Sequence, residues 1–132
     1  ELFSSACPLS ASAGPLDLED AKERYTRRPR GMAEDAPFEP PTVDQIEAYY
    51  PEHSAVELVK TLPEDDLKSV RWYIDCGDDD FLYEGNSRVH IAMKKKEIPH
   101  EFRIRDGAHT WTNSRESLPE VLTFVSDDFH QH

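Results

Sequence analysis

The sequence lacks the features that would place a protein on a membrane or on nucleic acid. No apolar run approaches the ~18 residues that a membrane-spanning helix needs. Only 15 basic residues stand against 27 acidic ones, for a formal net charge of −12. Binding to a phosphate backbone depends on clustered lysine and arginine, and the two short basic clusters, at 27–30 and 94–96, lie close to acidic residues. We expect neither a membrane span nor a nucleic-acid partner.

Cysteine is scarce as well. Cys7 and Cys76 are the two in the chain; both fall in predicted strands, and neither has the spacing of a metal site. We predict two buried, unreactive thiols rather than a disulfide, and no metal or other cofactor. Two such thiols leave the compartment of the protein open.

A methionine is missing from the start of the sequence. The chain opens with "ELFSSACPLS", at what looks like the entrance of a strand. A natural N-terminus is seldom placed at such a point. We therefore expect residues 1–132 to be the C-terminal portion of one domain in a longer protein.

Three segments have the composition of strands. Residues 2–11 are small and apolar, residues 69–77 are mostly apolar and end at a glycine, and residues 100–105 form a shorter run. Helical segments lie between them, and strands that alternate with helices are typical of parallel strands joined by right-handed crossovers. The predicted fold class is α/β, with three parallel strands adjacent in chain order.

Capping boxes mark three of the predicted helix starts. Thr42, Ser54 and Ser117 each stand three residues before a glutamine or a glutamate, which is the N-terminal signature of a helix. A further helix is predicted near 86–96. The helix that would begin at Ser117 has a predicted buried stripe at Leu118, Val121, Leu122, Val125 and Phe129.

Residues 15–52 differ from the rest of the chain. They hold six of the ten prolines and many charges, so that only short helical pieces fit there. Tyr25, Phe38, Tyr49 and Tyr50 give the segment apolar surface to pack. We predict a long excursion from the domain rather than a linker.

Two loops are the candidates for chemistry. In open α/β sheets, ligands gather at the carboxyl ends of the strands, where residues 77–82 and 106–109 follow adjacent predicted strands. The first loop carries three aspartates and the second carries His109. An acid followed by a histidine is the order in which α/β-hydrolases arrange the second and third members of a Ser-Asp-His triad. Taken singly, an aspartate-rich turn is usually solvated, and this one lacks the spacing of a calcium-binding loop.

The residues around these loops resemble a known family. "FSSACPLSA", "IDCGDDDFLYEGNSRVHIAMKKKEIPHEFRIRDGAHTW" and "RESLPEVLTFVSDDFH" are together similar to the C-terminal half of one esterase group of α/β-hydrolases. This group includes esterase D-type enzymes (S-formylglutathione hydrolases), tributyrin and acetyl esterases, and feruloyl or acetyl-xylan esterases. The likeness covers about 2–12 and 69–130 and is weakest over 15–52.

The resemblance implies roles for two residues. Within the family pattern, Gly77 and Leu82 select Asp80 as the triad acid, and His109 is the triad base. The family often has two glycines before this histidine, whereas Gly107 is followed here by an alanine. The sequence contains no G-x-S-x-G, so the nucleophilic serine and the oxyanion hole are expected upstream. Four serines of the first strand and its exit are not expected to act as the nucleophile: Ser4, Ser5, Ser10 and Ser12.

The implied activity is that of a serine carboxylesterase acting without a cofactor. Its substrate would be a small-molecule or carbohydrate-linked ester, with Trp111 shielding His109 and three residues of the excursion as candidates for the substrate pocket: Phe38, Tyr49 and Tyr50. The segment 15–52 would then overhang the site as a cap. The chain alone, without the serine, is expected to be inactive and to associate with its upstream half or with other copies. The alternative is a non-catalytic α/β interaction fragment that keeps the two loops.

Overall fold

The computed structural model describes residues 3–129. Three strands form one sheet: β1 (Ser5–Ala6), β2 (Arg71–Gly77) and β3 (Glu101–Arg105). The helices are α1 (Leu18–Thr26), α2 (Val43–Tyr49), α3 (Ala55–Thr61), α4 (Glu64–Lys68), α5 (Tyr83–Lys95) and α6 (Trp111–Phe129), with a 3-10 turn at Tyr50–Glu52. Among the described residues, none of the helices has both the length and the hydropathy of a membrane-spanning segment.

The sheet confirms the predicted fold class. Its order is β1-β2-β3 and both pairs are parallel. β1 is shorter than the predicted strand at 2–11, of which residue 2 lies outside the described residues. Pro8 has no N–H to donate and interrupts the ladder. The register nevertheless continues beyond the proline, because Leu9 forms a parallel bridge with Asp75.

Local capping explains where two of the predicted helices begin. The Thr42 side chain accepts a hydrogen bond from the Gln45 N–H, and the Gln45 side chain returns one to the Thr42 N–H. Ser54 caps α3 by accepting from the Glu57 N–H. Both starts match the sequence patterns, and α5 begins three residues earlier than predicted.

The predicted start of the last helix is wrong. α6 begins at Trp111 and contains Ser117 and Pro119 in its interior. The Thr110 side chain accepts from the Asn113 N–H (3.4 Å), and the Ser117 hydroxyl donates to the Asn113 carbonyl (3.1 Å) instead of capping a helix.

The predicted stripe of α6 is also only partly correct. Its buried face consists of Asn113, Ser117, Val121 and Phe124. The face predicted to be buried is largely exposed, with Leu118 at 44%, Leu122 at 59% and Phe129 at 74% of full exposure.

The sheet separates two small cores. On one face Ile74 packs with residues of α3, α4 and α5, among them Val59 and Met93. On the other face Tyr73 packs against Val121 and Phe124 of α6. Helices therefore cover both faces of β2, as a parallel strand requires.

Both cysteines are free thiols, as predicted. Cys76 is fully buried, whereas Cys7 is only half-buried. Burial, followed by the charge of Asp80, raises the pKa of the Cys76 thiol to about 11. Because the thiolate is the reactive form, this thiol is inert near neutral pH.

One buried ion pair links β2, β3 and α6. The Asp75 carboxylate is buried and accepts a hydrogen bond from Arg105 Nε at 2.7 Å. Arg105 also contacts Glu120 of α6 at 2.8 Å and the Tyr73 hydroxyl at 3.1 Å. These contacts fix the carboxyl half of β3, directly before the loop that carries His109.

Candidate active site

The loop after β2 turns one aspartate inward and two outward. Asp78 and Asp79 are exposed, whereas Asp80 is 1% exposed. The Leu82 N–H donates to Asp80 Oδ1 at 2.9 Å, and the Tyr83 N–H donates to the Asp80 carbonyl at 3.0 Å. The entry into α5 therefore closes over Asp80.

The loop after β3 is tied to the first loop through the backbone. The Asp78 N–H donates to the Arg105 carbonyl at 2.8 Å, and the Asp79 N–H donates to the Gly107 carbonyl at 3.0 Å. Gly107 has φ +147°, a backbone conformation that glycine adopts most easily. Ala108 has no positive φ, so its methyl group fits where the family often has a second glycine.

The two loops bring Asp80 and His109 into contact. His109 Nδ1 lies 2.9 Å from Asp80 Oδ2, with the Asp80 side chain fully buried and the His109 side chain 48% exposed. An ionised carboxylate can only accept a hydrogen bond, so the proton of a neutral His109 lies on Nδ1. Nε2 is then left unprotonated and able to accept a proton.

The surroundings of Asp80 keep it ionised. Burial raises the pKa of the Asp80 carboxyl, because burial disfavours the charged form. Hydrogen bonds from the Leu82 N–H, the Ser10 hydroxyl and the His109 ring outweigh burial, and the pKa lies below its ordinary value. Asp80 is therefore an anion at neutral pH and can stabilise a protonated His109.

His109 opens onto a depression of about 470 Å³. Its lining is formed by Leu9, Ser10, His109, Thr110, Trp111 and Ser114. Trp111, which was predicted to shield His109, lines the same depression, and its side chain is 82% exposed. The aromatic ring in contact with His109 is that of Phe81, with the ring centroids 5.0 Å apart.

The three predicted pocket residues of the excursion lie in other contacts. The Tyr49 ring stacks on His53 with the centroids 3.6 Å apart and meets Tyr25 edge-on at 5.5 Å. Phe38 is half-buried under the Arg28 guanidinium, and Tyr50 begins the 3-10 turn. The depression beside His109 is lined by residues outside 15–52.

Sequence reasoning missed three neighbours of the pair. Phe81 contacts the histidine ring, Ser10 interacts with the Asp80 carboxylate, and Asn113 lies buried beneath both loops. The position of Ser10 could have been inferred, because β1 ends at the same sheet edge as β2. Asn113 could not, because the predicted helix began only at Ser117.

An exposed acidic trio lies at the same edge. Carboxylate oxygens of Asp78, Asp79 and Asp106 lie within 4.8 Å of one another. The Asp78 carboxylate already accepts the Gly107 N–H at 3.1 Å. Exposed carboxylates are common in a chain of net charge −12, and the trio has the character of a solvated turn.

Two solved structures are similar to this chain. A ferulic acid esterase superposes with a TM-score of 0.65 at 30% sequence identity, over 94% of this chain and 42% of that one. FphF, a fluorophosphonate-binding serine hydrolase of Staphylococcus aureus in a substrate-bound structure, superposes with a TM-score of 0.58 at 20% identity, over 92% of this chain and 44% of that one. The chain has an α/β-hydrolase fold.

The comparison also confirms the predicted resemblance to an esterase-like α/β-hydrolase. The present chain spans less than half the length of either solved structure. No protein-family model and no curated relative matches it. At 20% identity FphF supports the fold alone, whereas the esterase, at 30%, shares sequence as well.

Proposed function

We propose that this chain supplies the acid and the base of a Ser-Asp-His triad in a serine carboxylesterase. The observation that carries the proposal is the 2.9 Å contact between His109 Nδ1 and the buried carboxylate of Asp80. Acid and histidine come from adjacent strand ends in the chain order of α/β-hydrolases. The likeness to a ferulic acid esterase over 94% of the chain supports the same assignment.

The proposed reaction uses the free Nε2 of His109. A serine from the part of the protein upstream of this chain attacks the acyl carbon, and His109 takes its proton. Asp80 stabilises the resulting imidazolium, which then protonates the departing alcohol. Water attacks the acyl-enzyme with His109 again as the base and releases the acid. Without the serine the covalent step cannot occur, so the chain alone is inactive.

The proposed substrate is a small-molecule or carbohydrate-linked carboxylic ester. The depression beside His109 would receive the ester, with Trp111 and Leu9 as apolar parts of its wall. Acetyl, feruloyl, short fatty acyl and thioester groups are all compatible with one triad. Phe38, Tyr49 and Tyr50 would join the site only if the excursion 15–52 acts as a cap over it.

A fluorophosphonate probe tests the proposal in the complete protein. It phosphonylates a serine only when a base has activated that serine. We expect labelling of the wild type, loss of labelling in His109→Ala, and none of the 132-residue chain alone. His53→Ala is the matched control, because His53 is exposed and contacts Tyr49 instead of the two loops.

The alternative function is a non-catalytic interaction fragment that keeps the fold and the loops. It predicts a complete protein that binds neither the probe nor an ester. A wild-type protein that resists the probe would favour this alternative. A His109→Ala variant labelled as fast as the wild type would instead remove His109 from the role of the base.

A further inference from the structure

One buried polar side chain lies under both loops of the proposed site. Asn113 is in the first turn of α6 and is 5% exposed. A Cβ added to Gly107 would lie 2.9 Å from Asn113 Oδ1, and one added to Gly77 would lie 3.3 Å from Asn113 Nδ2. The amide therefore fills the space between the two glycines that lead into the loops of Asp80 and His109.

The backbone of Asn113 is itself firmly held. Its N–H donates to the Thr110 side chain at 3.4 Å, and its carbonyl accepts from the Ser117 hydroxyl at 3.1 Å. The amide is thus anchored to α6, and α6 is fixed to the sheet by the contacts of Tyr73 with Val121 and Phe124. Asn113 is therefore connected to the sheet through α6.

The side-chain oxygen of Asn113 has no hydrogen-bond partner among the described residues. Leaving a buried acceptor unpaired destabilises the folded state, and buried polar groups in native proteins are nearly always paired. Stability alone would favour an apolar side chain here. The position instead requires the branched shape of the amide, because its two arms reach both glycines at once.

We infer that Asn113 is a positioning residue for the His109–Asp80 pair, an inference that rests on the proposed function. The loops cross so closely that a Cβ on Gly77 would come within 2.0 Å of the Gly107 carbonyl oxygen. From the side of α6, the Asn113 side chain fixes how far apart the two loops lie where they cross. Its loss lets the loop of His109 settle towards α6 and weakens the hydrogen bond that selects the Nδ1–H tautomer.

The test compares variants of the complete protein by two measurements. Nitrogen-15 NMR of the His109 ring gives its tautomer, and hydrolysis of p-nitrophenyl acetate gives kcat and KM. We expect Asn113→Ala to show a second tautomer, a kcat lowered about tenfold to a hundredfold, and a KM within about twofold of the wild type. Asn113→Leu, which keeps the forked shape, should restore most of kcat and the single tautomer.

Ser54→Ala is the matched control, because Ser54 is also buried but its hydroxyl accepts from the Glu57 N–H at the start of α3 and contacts neither loop. It should leave tautomer and kcat unchanged even if it lowers stability. If Asn113→Ala does not fold, Asn113→Ser is measured with the same expectation. A wild-type tautomer and kcat in the Asn113 variant, or equal losses in Ser54→Ala, would overturn the inference. Failure of the proposed function is distinct: either the wild type would show no ester hydrolysis, or Asp80→Asn and His109→Ala would keep it in full. In both cases the NMR measurement still decides the role of Asn113.

Discussion

Burial, rather than chemistry, distinguishes Asp80 from the two aspartates before it. All three offer the same carboxylate, but only Asp80 is buried and in contact with His109. The sequence pattern selected this residue through Gly77 and Leu82, and the structure gives the physical counterpart, since the Leu82 N–H holds the Asp80 side chain inward.

This difference leads to a prediction for three matched variants of the complete protein. Asp80→Asn should fold but lose up to ~10⁴ in kcat, because the amide favours the wrong tautomer of the histidine. Asp78→Asn and Asp79→Asn should stay within a few-fold of the wild type in ester hydrolysis. Asp78→Asn keeps an oxygen to accept the Gly107 N–H. If Asp79→Asn loses kcat and Asp80→Asn keeps it, the triad acid has been assigned to the wrong residue, one position too late in the chain.

A second contact, between His90 and His100, leads to a prediction that His90 makes stability depend on pH. His100 Nδ1 donates to the Ile98 carbonyl at 2.7 Å, which leaves its Nε2 to accept from His90 Nδ1 at 2.7 Å. Burial, followed by the charges of His100 and Lys94, lowers the pKa of His90. The unfolded chain therefore binds the proton more readily than the folded one.

The contribution of His90 should be complete above the unfolded pKa of about 6.5 and be lost as the pH falls below it. We expect the free energy of unfolding, measured with urea, to decrease from pH 7.5 to pH 5.5 in the wild type. His90→Gln should flatten this dependence, and His53→Gln, a change in an exposed histidine, should leave it in place. Equal pH dependence in the wild type and His90→Gln would refute the assignment.

At the scale of elements, the sequence correctly predicted the helix starts that depend on hydrogen bonds between residues close in the chain. Thr42 and Ser54 start their helices because the capping hydrogen bonds lie within four residues. The Ser117 pattern failed because packing against the sheet extends α6 back to Trp111 and outweighs the proline inside it. The position of β1 and its parallel pairing with β2 were predicted correctly, but its length was not. Pro8 shortens the strand, which composition alone did not indicate.

Pro119 should therefore reduce the stability of α6. A proline inside a helix removes one hydrogen bond and clashes with the preceding turn, at a cost of about 3 kcal/mol, partly offset because proline restricts the unfolded chain by about 1 kcal/mol. Pro119→Ala should raise the free energy of unfolding by about 2 kcal/mol. Pro63→Ala, at the N-terminal cap of α4, is the matched control and should not stabilise. Calorimetry measures the stability of both variants. If Pro119→Ala is less stable than the wild type, the prediction is wrong and the proline contributes to the packing of α6.

The whole molecule has apolar surface that its own described residues do not cover. β1 is an edge of the sheet, and beside it lies an apolar cavity of about 230 Å³ whose walls include Pro8, Leu58 and Trp72. On the other face, Leu118 and Leu122 of α6 point outward. Unpaired strand edges and apolar patches of this kind favour association.

We predict that the 132-residue chain on its own forms multimers or a swapped assembly, and that within the complete protein the upstream part takes the place of the second copy. Sedimentation of the isolated chain should give a mass that rises with concentration. Leu118→Lys with Leu122→Lys should reduce the association if the outer face of α6 takes part, and leave it unchanged if the β1 edge alone is responsible. A folded monomer at every concentration would contradict the prediction, because the exposed edge and the apolar cavity would then be stable in water without a partner.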